Sequence, residues 1–168
     1  MPLEHLSTKL FQTTAAAQVT KFHSVRPPQL PIRDYLFRIA KYFQCSRECF
    51  VLCLVYIDRI VKLHPDFTIC SLNIHRLLVT SVMLAVKFFD DVYYSNAYYA
   101  KVGGVKTREV NILEGQFLQL IEWKLHVTPE DAEKGGGGEV RLQEVTFPEL
   151  FVTRFRHHLS HDNGKHVR

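Results

Sequence analysis

The residues best equipped for chemistry are Cys45, Cys49 and Cys53, spaced four apart, and a late histidine group, His157, His158 and His161. On a helix the three thiols fall in one stripe, which raises metal ligation as a candidate use. Zinc sites, however, usually draw ligand pairs from two separate elements. The neighbours Phe50, Val51, Leu52 and Leu54 favour thiols buried as small apolar groups instead. A straight helix also keeps such a stripe from closing a disulfide. The histidines have only Asp162 beside them at ligand spacing and read as a solvated tail, so no metal and no cofactor are expected. GGVKT at 103–107 lacks the leading glycine of a phosphate loop and reads as a turn between helices. No G-x-S-x-G, H-E-x-x-H or kinase-type loop is present. The chain is therefore expected to bind rather than to catalyse, with no catalytic residue of its own.

Three charges stand against apolar stripes and need a reason. Lys87 lies in VMLAVKFFDD at 82–91, and Glu114 lies in NILEGQFLQLIEWKL at 111–125. Each interrupts a helical hydrophobic pattern, which predicts that both face a partner protein. Phe88, Phe89, Leu113, Phe117, Leu118 and Trp123 are candidates for the apolar part of that surface, some of them shared with the core. Asp58, in YIDRIV, sits on the most apolar segment of the chain. An ionised carboxylate there needs a cation, since an unpaired buried charge costs several kcal/mol. Arg33 and Arg38 are the candidate partners in a structural ion pair, and Arg59 is expected to point outward.

The elements that position these groups are marked by breakers. No proline falls between 66 and 128, so the middle of the chain has room for long helices. Helices are predicted over about 3–22, 31–43, 47–63, 72–90, a short one after Ser95, 108–122 and 148–159. The 47–63 helix is apolar on nearly every face and is expected to be central. Ser46, Ser95 and Thr107 are candidate N-caps, and Gly103 and Gly104 end the short helix. EKGGGGE at 133–139 reads as a flexible link. No segment alternates as a strand does. The expected fold is all-α, five core helices with an extra helix at each end. The divisions are 1–24, 25–128 and 129–168.

A length of 168 residues, 46% hydrophobic and 23% charged, suits one folded domain. A net charge of +4 without a basic run gives little support to nucleic-acid binding. The longest apolar run, 49–57, is too short to cross a bilayer, and the first residues carry no secretory signal. No membrane association is expected, and cytoplasm or nucleus is the expected location.

YIDR at 56–59, AVKFFDD at 85–91 and NILEGQF at 111–117 resemble a cyclin box. LPIRDYLFRIAKYF at 30–43, the 71–91 segment, and SNAYYAKVGGV with the residues that follow to 125 are similar to the phosphate-pathway cyclins of fungi and the P/U-type cyclins of plants and protists. The resemblance covers about 25–130. It implies a five-helix bundle that binds and activates a cyclin-dependent protein kinase, in cell-cycle or phosphate signalling. By motif, the family's kinase-binding lysine and glutamate fall on Lys87 and Glu114, and its core aspartate on Asp58. In many cyclins the aspartate's partner comes from an M-R-x-I-L motif, where this chain reads Gln29 before Leu30, which leaves Arg33 or Arg38 to supply it. A helical adaptor that uses the same bundle for a non-kinase partner is the alternative.

Overall fold

The structure is a computed structural model that describes residues 19–135 and 146–160. The described residues form seven α-helices and no strand. The helix predicted over 3–22 lies mostly outside them. Its described end, at Thr20 to His23, is a turn closed by the His23 N–H donating to the Thr20 carbonyl at 3.0 Å. Of the link expected at 133–139, residues 133–135 belong to a helix and 136–139 lie outside the described residues.

α1 (Ile32–Tyr42) starts where Pro31 fixes an extended N-cap, and it buries Tyr35, Leu36 and Ile39. α2 (Arg47–Leu63) and α3 (Ile74–Phe89) pack along each other. Every residue of α3 from Leu77 to Val86 is buried, so α3, rather than α2, is the central helix. α2 keeps Phe50, Val51 and Leu52 only half-buried. The cause is tertiary: the apolar run in α2 receives α3, α6 and α7, whereas the stretch of α3 from Leu77 to Val86 is enclosed by its neighbours.

α4 (Asn96–Gly103) and α5 (Thr107–Leu120) complete the five-helix core. Ser95 caps α4, its Oγ accepting from the Tyr98 N–H at 3.3 Å. Gly104 follows at φ 68°, a left-handed turn that favours glycine. Gly103 is needed for closeness: a Cβ there would stand 2.5 Å from Val79 Cγ2. The Tyr35 hydroxyl donates to the Gly103 carbonyl at 2.8 Å, fastening α1 to α4. The N-cap of α5 is Lys106, not Thr107, and Glu109 folds back to accept from the Lys106 N–H at 3.0 Å.

Two helices follow the core. α6 (Pro129–Gly135) was not expected as a helix. Thr128 and Asp131 exchange backbone and side-chain hydrogen bonds at 3.2 Å, a reciprocal cap that starts it. Arg59 does not point outward: it holds this region through the carbonyls of Lys124 (2.6 Å) and His126 (2.8 Å) and the carboxylate of Asp131 (3.2 Å). α7 (Phe147–Ser160) lies across α1 and α2. It buries Phe147, Leu150, Phe151 and Phe155, with Phe147 stacked 4.2 Å from Phe50.

The cation at Asp58 is Arg154 of α7, in place of the expected Arg33 or Arg38. Asp58 Oδ2 accepts from Arg154 Nε at 3.0 Å and also from its Nη2. Arg33 instead lies over the Phe37 ring, 5.9 Å from its centroid, and Arg38 lines a cavity of about 270 Å3 with Leu30, Tyr35 and His75. α7 crosses the junction of α1 and α2, which lets a residue 96 positions away deliver the guanidinium.

That cavity contains a pH-sensitive group. His75 Nε2 lies 2.8 Å from the Leu30 carbonyl, which can only accept, so Nε2 donates and Nδ1 carries a bare lone pair. Nδ1 is buried without a partner. Burial holds the imidazole below its ordinary value of 6.5, and it does the same, with a smaller buried fraction, for His23. A base with a depressed folded-state pKa binds protons more readily when unfolded. Its contribution is therefore intact above about pH 6.5 and is lost as pH falls through the folded value. The melting temperature is expected to drop between pH 7.5 and 5.5, and to drop less in His75→Gln, which keeps a donor for Leu30. An equal drop in the variant would remove His75 from this account.

Candidate partner-docking site

Lys87 occupies the last turn of α3, and Glu114 the middle of α5. Because α3 and α5 pack against each other, the two side chains meet. Lys87 Nζ donates to Glu114 Oε1 at 2.5 Å. The pair is not dry: 29% of the lysine side chain and 19% of the glutamate side chain remain exposed. The two form a bridge that reaches the surface.

Two amides complete it. Asn96, the first residue of α4, accepts from Lys87 Nζ at 3.0 Å through Oδ1. Its Nδ2 donates to Glu114 Oε2 at 2.9 Å and to Asn111 Oδ1 at 2.8 Å. Asn111 lies one turn before Glu114 on α5. The Ser95 cap fixes where α4 begins and hence where Asn96 points. Three helices thus hold one ammonium and one carboxylate in a single arrangement. Lysine has three donors and a carboxylate about four acceptor sites, so this network leaves one N–H and part of the carboxylate's capacity unspent.

The end of α3 is tied down separately. Asp90 accepts from the Ser46 N–H at 2.9 Å and from the Ser46 hydroxyl at 2.5 Å, joining it to the start of α2. Phe88, Phe89, Val92 and Tyr93 stand exposed around this point. A run of large apolar side chains beside a half-buried ion pair has the composition of a protein-binding surface.

The other expected contact residues are placed differently. Phe88 is in this exposed group, next to Lys87 in the chain. Leu118 is half-buried and packs on the core. Trp123 is 65% exposed but belongs to the turn after α5. There Glu122 (φ 53°) and Trp123 (φ 60°) are both left-handed, and Arg59 of α2 grips the carbonyls that follow. Asn96 and Asn111 were missed from sequence. Their signal was the cap position just before Asn96 and the three-residue spacing of Asn111 from Glu114.

No helix among the described residues is long and apolar enough to cross a membrane. A family model described as Cyclin matches residues 2–125. The chain is 52% identical over 116 residues to Cyclin-U4-1 of Arabidopsis thaliana, covering 69% of this chain and 57% of that protein. It is 50% identical over 107 residues to Cyclin-U1-1 of the same plant, 64% of this chain and 51% of the relative. It is 46% identical over 114 residues to Cyclin-P4-1 of Oryza sativa subsp. japonica, 68% of this chain and 54% of the relative. The chain spans about half the length of the curated relatives it matches.

Proposed function

This chain belongs to the cyclin family and is a P/U-type cyclin; on that premise we propose that it is a regulatory subunit that binds and activates a cyclin-dependent protein kinase through α3 and α5. The observation that carries this reading is the Lys87–Glu114 bridge, held by Asn96, open to solvent and short of its full complement of hydrogen bonds. A spare ammonium donor and a spare carboxylate acceptor, side by side, match the carbonyl and N–H of a partner's backbone. Phe88 and Phe89 supply the apolar contact beside them. The box at 25–128 carries this surface, and the segments before and after it are extensions.

A protein kinase is active when its catalytic lysine and regulatory-helix glutamate pair and its activation loop is ordered. A partner that binds only that arrangement shifts the population toward it. Turning a kinase from mostly inactive to mostly active in this way takes a differential affinity of about 5.5 kcal/mol. On this reading the chain itself carries out no chemistry, and it works in the cytoplasm or nucleus.

The test uses the purified chain and a panel of purified cyclin-dependent kinases. At least one is expected to bind in calorimetry, and its phosphorylation of a generic peptide should rise at least about tenfold, equivalent to 1.4 kcal/mol. Absence of binding across the panel would point to the adaptor alternative, and binding without any rise in phosphorylation would overturn the activating role.

A further inference from the structure

A cavity of about 790 Å3 lies between the turn at Thr20 to His23, the end of α2, the start of α3 and the second half of α5. Its lining includes Lys21, His23, His64, Arg76, Gln116 and Gln119. Gln116 and Gln119 stand about 200° and 140° around α5 from Glu114, so the cavity opens on a different side from the Lys87–Glu114 bridge. Its volume falls within the range of about 300–1,000 Å3 usual for small-molecule sites.

The walls are fixed by contacts of their own. Phe22 is fully buried and meets Phe117 edge-on, 6.0 Å between ring centroids, which seats the turn on α5. Arg76 Nη1 donates to the Lys21 carbonyl at 3.1 Å, and Nη2 donates to Glu109 at 3.1 Å. Within the turn, the Thr20 N–H donates to His23 Nδ1 at 3.0 Å. His64 has Nε2 2.8 Å from the Leu120 carbonyl, which can only accept, so Nε2 donates and Nδ1 is left as an acceptor.

The charge of the lining is one-sided. No carboxylate belongs to it. Glu109 is matched by Arg76, and Glu122, which acts on His64, is matched by Lys124 at 2.6 Å. Burial holds His23 below its ordinary value, so its ring adds no charge at neutral pH. The Lys21 ammonium has no partner among the described residues, which leaves one uncompensated positive charge at the cavity. The side-chain amides of Gln116 and Gln119 are likewise without partners there, and each offers both donors and an acceptor.

We propose that this cavity binds a small hydroxylated carboxylic acid of the sugar-acid class. One ammonium matches one carboxylate, and a more highly charged anion is left partly uncompensated. The remaining N–H groups of Arg76 add hydrogen bonds to the carboxylate. The ligand's hydroxyls donate to His64 Nδ1 and exchange hydrogen bonds with the two glutamine amides, which an apolar acid cannot do. Binding here needs no kinase, so the site stands or falls apart from the kinase reading.

The purified full chain is titrated with sodium gluconate and followed by saturation-transfer NMR. Half-saturation at about 1 mM is expected for a ligand of this size at ordinary efficiency. Glucose, which lacks the carboxylate, and acetate, which lacks the hydroxyls, should each bind at least about tenfold more weakly. Lys21→Met should weaken gluconate binding at least about tenfold and leave the thermal melt unchanged, since that ammonium holds nothing in the fold. Lys101→Met, at an exposed position of α4, should change neither. No saturable signal up to about 20 mM, equal binding of glucose or acetate, or an undiminished titration in Lys21→Met would overturn the proposal. Equal weakening in Lys101→Met would reduce the effect to general surface charge and overturn it as well. Tighter binding of citrate than of gluconate would overturn the single-charge match, and with it the class of ligand.

Discussion

Arg154→Ala is expected to lower the melting temperature by roughly 4–12 °C, more than Asp58→Ala lowers it. The asymmetry follows from exposure. Asp58's side chain is only 11% exposed, whereas 32% of Arg154's remains in contact with solvent. Removing the arginine strands a carboxylate inside the bundle. Removing the aspartate leaves a guanidinium that can swing toward water. Breaking one side of a buried pair costs about 3–5 kcal/mol, and the partial exposure of Arg154 reduces this to about 2–3 kcal/mol. In a chain of this size each kcal/mol shifts the midpoint by about 2–4 °C. The double variant Asp58→Ala/Arg154→Ala should recover part of the loss, because no charge is then stranded. Thermal melts followed by circular dichroism check all three. A wild-type melt for Arg154→Ala would mean that α7 is held by Phe147, Leu150, Phe151 and Phe155 alone.

Asp58 also shows what a sequence can and cannot disclose. A carboxylate amid Tyr56, Ile57 and Ile60 declares its need for a cation, because burial without one is too costly. Which cation answers depends on how α7 crosses the bundle, and nothing in the local pattern of either helix records that. The five core helices were legible because proline, glycine and hydrophobic period all act within a few residues. α6 was missed, although the Thr128-to-Asp131 spacing carries a cap signal, because its seven residues run into the glycine-rich stretch beyond. The centrality of α3 was not legible, since burial on every face is a property of the neighbours. The start of α2 was legible, with Ser46 ahead of Arg47, and that boundary leaves Cys45 two residues outside the helix and off the stripe its spacing suggested. The same distinction governs the candidate site. Lys87 and Glu114 stood out as charges on apolar stripes, whereas Asn96 and Asn111 are uncharged residues on segments already polar, and only the meeting of three helices makes them a clamp.

Lys87→Glu and Glu114→Lys are each expected to weaken kinase binding at least about thirtyfold, the low end of the 2–5 kcal/mol lost when one member of a desolvated, hydrogen-bonded pair is removed. Either change alone also sets two like charges against each other, so loss of binding could arise from a disturbed fold. The charge-swapped double variant separates the causes. With glutamate at 87 and lysine at 114 the bridge can re-form. Asn96 now has to offer its Nδ2 to position 87 and its Oδ1 to position 114, which a flip of its amide achieves. Its hydrogen bond to Asn111 is reversed by that flip and is recovered if Asn111 flips as well. The melt should therefore return to near wild type. What faces the partner does not return: the spare donor and the spare acceptor have exchanged places, and a backbone carbonyl would meet a carboxylate. Recovery of stability without recovery of binding is the outcome expected of a docking surface. Recovery of both would make the bridge a strut between α3 and α5, and would send the search for the kinase contact to Phe88, Phe89 and Trp123.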